Sequence, residues 1–326
     1  RVLDDPRAGL VGALFFAAHP LAGEPVNYIS SRSESLAASF YLATFLLYIR
    51  GRRALALICF ALGLLVKSVV ITVPVLLWAY DRWQRAGGRD WRCYMPFAGV
   101  AFGYIVLISY NRFLLGSLAT PVRDWTTQLM TQCKAPAYYL YLIAMPFKLN
   151  VEHQFFETAD PFDGAFLAGA GLVISLGFLA WSGRFRIPGW ALTWSTVILL
   201  PTVLLPLNML VNERRLYLVM AGLACGVGYL SRRFEWRWQL IWIVCSIVLC
   251  LSRNTLWSSE LSIWEDAVKK APRMYRTQSN WGKALQMAGR EEEALAAYRR
   301  AISIDDRHAD AYNNIATLYH LRGEVD

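Results

Sequence analysis

Apolar and polar positions alternate along this chain in long blocks. Nine apolar runs stand out, at Leu10–His19, Leu36–Ile49, Ala54–Val66, Val69–Tyr80, Met95–Tyr110, Gly164–Trp181, Gly189–Leu207, Leu216–Leu230 and Leu240–Leu251. Blocks of this kind predict helices that cross a bilayer. Several fall short of the ~20 residues a perpendicular span requires, so their ends must run into the flanking polar residues. The stretch Ala54–Tyr80 is read as two short helices with a turn, because Lys67-Ser68 interrupts it and Pro74 disfavours one unbroken helix. A tenth run, Ala135–Phe147, is bounded by Pro136 and Pro146 and carries Tyr138, Tyr139 and Tyr141. Aromatic residues of this type favour the membrane interface, which predicts a re-entrant or interfacial segment; the alternative is a full span.

From about Leu261 the pattern changes to amphipathic helices with an internal period. Trp264 and Tyr298, Ala267 and Ala301, Pro272 and Asp306, Asn280 and Asn314, Gly282 and Ala316, and Gly289 and Gly323 all pair 34 residues apart, the tetratricopeptide period. The expected architecture is all-α: a polytopic membrane bundle over residues 1–255 and tetratricopeptide repeats, an α-solenoid, over 256–326. The chain opens at Arg1 without a Met and stops at Asp326 inside a repeat, so further sequence is expected on both sides. Such arrays present concave surfaces to extended peptides or helices, which predicts a protein partner.

Composition agrees with the pattern. The 326 residues are 56% hydrophobic and only 17% charged, with mean hydropathy +0.32, against about 25% charged in soluble domains. The net charge of +9 lies in short clusters between apolar runs rather than along one face, which argues against nucleic acid. Those clusters orient the bundle. Arg50–Arg53, Asp81–Arg92, Ser182–Arg186 and Ser231–Arg237 are placed on the cytoplasmic side. The His19–Glu34 loop, Lys67, Arg112–Lys134, Val151–Asp163, Asn208–Arg215 and everything after Ser252 then fall outside. Cys59, Cys225, Cys245 and Cys250 lie in apolar runs and act as small hydrophobes, Cys93 and Cys133 stand alone, and no metal-ligand spacing occurs.

The outer loops hold the candidate chemistry. Ionisable residues at a membrane boundary are functional candidates by default, and His19, Glu24, Arg32 and Glu34 share one loop between two apolar runs. Arginine holds a phosphate bidentately, and a carboxylate takes the proton of an acceptor hydroxyl. Glycosyl transfer from a polyprenyl-phosphate sugar needs both. Each residue also has a plainer reading: a cap for His19, a loop ion pair between Glu24 and Arg32, headgroup anchoring for Glu213-Arg214-Arg215, and snorkelling for Lys67. Glu152-His153 lacks a second His at metal spacing, and no P-loop, nucleophile elbow or dinucleotide fingerprint is present.

Five segments in order resemble one family. They are His19-Pro20 with Glu24, Val26, Arg32 and Glu34; Leu65–Ser68 with Ile71–Pro74 and Asp81; Tyr139–Leu142 with Pro146 and Leu149; Asn212–Leu218; and Trp264–Ala267 followed by the repeats. Together they resemble the transmembrane and tetratricopeptide-repeat O-mannosyltransferases and their bacterial relatives. Ala22 and Ser68 depart from the family pattern. The resemblance implies a GT-C-type membrane enzyme that takes a sugar from a polyprenyl-phosphate donor at the outer or lumenal face, without a cofactor or metal. It implies donor-phosphate binding by Arg214, Arg215 and Lys67, supporting catalytic roles for Glu24 and Arg32, and site positions at His19, Glu34, Glu213 and Tyr217. In that family the prime catalytic carboxylate lies after the first membrane helix. This chain is expected to begin near the third, and so to lack that carboxylate. A bacterial inner membrane with periplasmic repeats is the preferred location, or the endoplasmic reticulum with lumenal repeats. The competing reading is a non-catalytic membrane scaffold whose repeats recruit envelope proteins.

Overall fold

A computed structural model describes residues 5–84, 90–110, 122–181, 186–307 and 309–323. The chain ends, Arg85, Arg89, Arg112 and Arg184 lie outside the described residues. Fifteen helices and no strand occur among the described residues. In chain order they are α1 (Pro6–Ala18), α2 (Gly23–Asn27), α3 (Arg32–Ile49), α4 (Arg53–Val66), α5 (Val73–Gln84), α6 (Met95–Tyr110), α7 (Trp125–Ala144), α8 (Gly164–Trp181), α9 (Arg186–Leu204), α10 (Leu216–Ser231), α11 (Trp236–Leu256), α12 (Glu260–Lys270), α13 (Tyr275–Met287), α14 (Glu291–Ile304) and α15 (Ala309–Leu321).

Local signals set their limits. Asp5 caps α1, its carboxylate accepting from the backbone N–H of Arg7 at 2.9 Å, with Pro6 following in the first turn. Gly51 turns α3 into α4 at φ +79°, a left-handed conformation that only glycine adopts without strain. Lys67 and a 3₁₀ turn, Ser68–Thr72, divide α4 from α5. The predicted division of Ala54–Tyr80 into two helices therefore holds.

The bundle closes by direct contact between small residues and large rings. A Cβ added at Gly12 of α1 would lie 2.4 Å from the Ala224 carbonyl oxygen of α10, and one at Gly222 would lie 2.4 Å from the Trp194 ring of α9. That ring donates its Nε1–H to the Leu218 carbonyl at 2.8 Å. Around it Phe45, Tyr80, Trp190 and Trp194 pack with centroids 5.1–6.0 Å apart, in edge-on and stacked arrangements. The buried Asp81 carboxylate accepts from the Tyr48 and Tyr94 hydroxyls, so this motif residue holds α3, α5 and the start of α6 together.

The two ends of the bundle differ in chemistry. At one end lie the Arg50–Arg53 turn, the contact of Trp83 with Arg186 (Trp83 Nε1–H to the Arg186 carbonyl, 3.0 Å) and the Asp5–Arg232 ion pair at 3.1 Å. The opposite end gathers His19, α2, Lys67, the Leu205–Arg215 segment and the last turn of α11. Among the described residues α9 and α11 are long and apolar enough to cross a membrane, and four shorter apolar helices accompany them. Their outer faces are apolar and uncovered, as at Ile174 (72% exposed) and Phe178 (77%) of α8 and at Trp236, Ile241, Val248 and Leu251 of α11.

The Ala135–Phe147 segment differs from its expected form. It is the second half of a twenty-residue helix, α7, which starts at the Asp124 cap and holds Pro136 in its interior. The expected loop up to Lys134 is thus helical over Trp125–Lys134. That first half escapes an apolar search because its buried stripe is polar: Thr127, Gln128, Thr131 and Gln132. Gln128 donates to the Thr202, Val203 and Leu205 carbonyls and Gln132 to the Leu210 carbonyl, while the Asn212 N–H donates to the Tyr139 hydroxyl. Every one of these contacts is with the His19 end of the bundle, so α7 lies across that end.

The repeats stack as paired helices. Gly282 of α13 gives the Tyr298 ring of α14 room; a Cβ there would lie 2.7 Å from the ring. Gly289 turns between them at φ +74°. The array docks on the bundle through the Leu149–Gln154 segment. Asn150 Nδ2 donates to the Ala267 carbonyl at 3.3 Å, Lys270 Nζ to the Leu149 carbonyl at 2.9 Å, and the Arg273 N–H to Gln154 Oε1 at 3.2 Å.

The close contact at Gly222 generates a stability prediction. Gly222→Leu overpacks against Trp194 and destabilises the bundle by about 1–3 kcal/mol, lowering the thermal midpoint followed by tryptophan fluorescence in detergent. Gly103→Leu, where nothing lies within 4 Å of the added Cβ, leaves that midpoint unchanged or raised.

Candidate functional site

The site is built where three loops meet. The 3₁₀ turn Pro20–Ala22 and α2 bring Glu24 inward, the turn Glu213–Arg215 opens α10, and α11 delivers Arg253 in its last turn. Glu213 is their common partner. Its side chain has no exposed surface, and it accepts from Arg253 Nη2 at 2.7 Å and from the Asn150 backbone N–H, with His153 Nε2 at 3.3 Å. The Tyr138 hydroxyl bonds the other ring nitrogen of His153 at 3.0 Å. Burial pushes the Glu213 carboxyl up. Arg253, His153 and the Asn150 amide overcome that and hold it below its usual range, so it is a carboxylate.

Glu24 has the opposite environment. It is buried, and its Oε2 has no hydrogen-bond partner. Burial first, and then the Glu213 charge, push its carboxyl up to about 8, against the pull of Arg214 and Arg253. At neutral pH Glu24 is therefore mostly protonated beside an ionised Glu213. Two carboxyl groups driven apart in this way are able to divide acid and base roles.

Arg214 is half-buried and makes no carboxylate ion pair among the described residues. Its guanidinium touches Ser31 Oγ at 3.5 Å and Met209 Sδ at 3.4 Å. With Glu213 matched by Arg253 and Glu24 protonated, Arg214 is a cation without a counter-ion, suited to a phosphate.

The other sequence candidates divide. Lys67 pairs with Glu34 across the site, which answers its charge. Arg215 donates to the Met209 and Leu210 carbonyls at 2.7 and 3.0 Å. These bonds brace the segment before α10. Glu213 is sealed from solvent, so headgroup anchoring does not describe it. Arg32 is exposed and forms no ion pair with Glu24, so the alternative of a loop salt bridge is also corrected. Tyr217 packs its ring on Phe16 at 5.2 Å. His19 accepts the Leu21 N–H at Nδ1 (3.3 Å), so its proton sits on Nε2, which donates to the Ile143 carbonyl at 3.1 Å. Burial lowers its pKa. This neutral His19 ties α1 to α7, the capping role among its two readings. No group of three or more metal-ligating side chains occurs among the described residues.

Sequence reasoning missed Arg253 and passed over His153. Arg253 sits near the end of an apolar run, where a basic residue reads as a span flank. Its signal was its burial, which a sequence does not carry. His153 was weighed only as a metal ligand.

Residues 278–323 match the family model described as TPR repeat. The chain is similar to the Mus musculus protein named Protein O-mannosyl-transferase TMTC3, 22% identical over 98% of this chain and 41% of the relative. It is 31% identical to Protein O-mannosyl-transferase TMTC1 of Homo sapiens over 34% of this chain and 14% of that protein. With Protein O-mannosyl-transferase F38B6.6 of Caenorhabditis elegans the identity is 22% over 90% of this chain and 45% of the relative. The resemblance carried by the motifs thus extends over nearly the whole chain. The chain spans about two fifths of the length of the mouse relative. No solved structure matches it.

The protonation of Glu24 sets a pH dependence. Its folded pKa of about 8 lies above the ordinary value of 4.5. Between those values the native state holds a proton that the unfolded chain releases, so the contribution of Glu24 is full below pH 4.5 and is lost as pH rises to about 8. Glu24→Gln removes this loss. The variant gains stability over the parent by more than about 1 kcal/mol at pH 8, and the difference shrinks towards pH 4.5, as measured by thermal unfolding across that range.

Proposed function

We propose that this chain combines a membrane bundle and tetratricopeptide repeats of a protein O-glycosyltransferase. It moves a sugar, mannose by analogy with the names of its relatives, from a polyprenyl-phosphate donor to a protein hydroxyl. The apolar, uncovered faces of α6, α8 and α11 support a bilayer location. The segregation of the basic turns from the Glu24 end supports transfer on the outer or lumenal side, with the repeats on the same side. That side is the periplasm in a bacterium or the lumen of the endoplasmic reticulum in a eukaryote.

One observation carries the reading: Arg214, a half-buried guanidinium with no ion-pair partner among the described residues, stands beside a protonated Glu24 and the Glu213–Arg253 ion pair. A dianionic or monoanionic phosphate satisfies Arg214, and a lipid tail has the adjacent apolar faces to lie along. In the transfer the acceptor oxygen bonds to the anomeric carbon while that carbon's bond to the phosphate oxygen breaks. The bonding pair stays with the phosphate, and the departing phosphate monoester takes up the proton that the acceptor hydroxyl loses. Charge grows on the phosphate oxygen as the bond breaks, and fixed donors facing that oxygen lower the barrier. Arg214 supplies such donors, and the Glu24 hydroxyl supplies another, which makes Glu24 a supporting group for the leaving phosphate. The lipid-linked sugar serves as substrate, without a cofactor. A non-catalytic scaffold needs repeats that bind but gives Arg214 no anion to answer.

With the full-length gene product in proteoliposomes and a radiolabelled polyprenyl-phosphate mannose, Arg214→Ala lowers transfer to protein acceptors by about 100-fold or more and Glu24→Gln lowers it less. Transfer by Arg214→Ala at the parent rate removes Arg214 from the site, and absence of any transfer by the parent protein with its repeats still binding peptide favours the scaffold.

A further inference from the structure

A cleft of about 1050 Å³ lies between the repeats and the bundle. One wall is the irregular segment through Glu152, His153 and Phe156. The facing wall is the start of α13 with the end of α14 and the turn after it, residues 302–307. Its volume is at the top of the range for ligand sites, and charged groups of both signs beside aromatic rings line it. A lipid chain has no use for such walls, whereas an extended peptide does.

Three side chains give the cleft direction. Glu152 is only 8% exposed, lines the cleft and has no hydrogen-bond partner among the described residues. Burial raises its pKa, against the pull of Arg276, His153 and Arg214. Arg276 and His153, which line the cleft with it, and Arg214 all lie within electrostatic reach of its carboxyl. The Arg273 guanidinium lies over the Phe156 ring at 5.5 Å, and that of Arg276 over the Tyr275 ring at 5.7 Å, with Arg276 Nε donating to the Tyr275 hydroxyl. Stacking holds both planes in place, and neither forms an ion pair among the described residues. His153 is the floor of the cleft and touches Glu213 on its other side. The cleft is thus one side chain, His153, away from Glu213.

We propose that this cleft holds the acceptor as an extended peptide segment, with Glu152 accepting the hydrogen bond of a serine or threonine hydroxyl and Arg273 and Arg276 pairing with acidic side chains beside it. The inference rests on the transferase reading for its choice of a hydroxyl-bearing peptide. It assigns acceptor selection to the junction between bundle and repeats rather than to the concave face of the array.

The test uses the full-length protein in lipid nanodiscs and a fluorescent decapeptide with one central serine flanked by aspartates. Fluorescence anisotropy follows binding without donor, and mannose transfer is measured separately. Arg276→Ala is expected to weaken binding about tenfold, and replacing the peptide's aspartates by asparagine to do the same. Glu152→Gln lowers kcat/KM for the peptide while the KM for donor lipid stays unchanged. Added peptide protects residues 152–157 and 302–307 from amide hydrogen exchange in the parent protein, a readout independent of any variant. Equal binding by parent and Arg276→Ala, with no protection of these segments, overturns the cleft inference even if transfer proceeds. Binding and protection at the cleft without transfer from the lipid donor sustain it as a peptide site and count against the transferase reading alone.

Discussion

The structure of the site end depends on one buried carboxylate, Glu213. A charge sealed from solvent is tolerated only when it is paired and hydrogen-bonded on every side. Glu213 is hydrogen-bonded by Arg253 from α11 and by the Asn150 amide, with His153 Nε2 3.3 Å away, three groups that are 40, 63 and 60 positions away in sequence. The demand is therefore also an assembly rule. It fixes the last turn of α11, the segment after α7 and the start of α10 at one point. The repeats follow α11 directly and grip the same Leu149–Gln154 segment, so their position is set by the same contact.

The charge state of the site follows from that arrangement. Glu213 keeps its charge because Arg253 is matched to it, while burial first, and then the Glu213 charge, keep the proton on the second buried carboxyl, Glu24. Arg214 is left without an ion-pair partner among the described residues. In the proposed transfer, a phosphate-linked donor would approach along the apolar faces and a peptide acceptor through the cleft lined by His153. That division would give the hydrophobic bundle and the repeat array separate roles.

Much of this was legible in the sequence because it rests on periodicity. The apolar runs gave most of the helices, Lys67-Ser68 gave the break before α5, and the 34-residue register gave the repeats. Glu24, Glu213 and Arg214 stand out by residue type and position, and the fold brings them to the same end of the bundle. The illegible parts are those where burial is polar. The first half of α7 hides Gln128 and Gln132 against backbone carbonyls and so reads as loop. Arg253 reads as a span flank and Arg215 as a phosphate ligand, because a sequence shows that a guanidinium is present and not which oxygen it meets. His19 reads equally as catalyst or cap until its two ring nitrogens are seen to be occupied by the Leu21 amide and the Ile143 carbonyl.

The central claim is that Glu213 and Arg253 act as one unit. A double-mutant cycle of Glu213→Gln, Arg253→Met and the pair, measured by unfolding free energy in one detergent at constant pH, tests it directly. The account predicts that each single change is strongly destabilising because it strands the other group, and that the pair loses much less than the sum, a coupling of about 3 kcal/mol or more. Losses that add to within about 0.5 kcal/mol would contradict it.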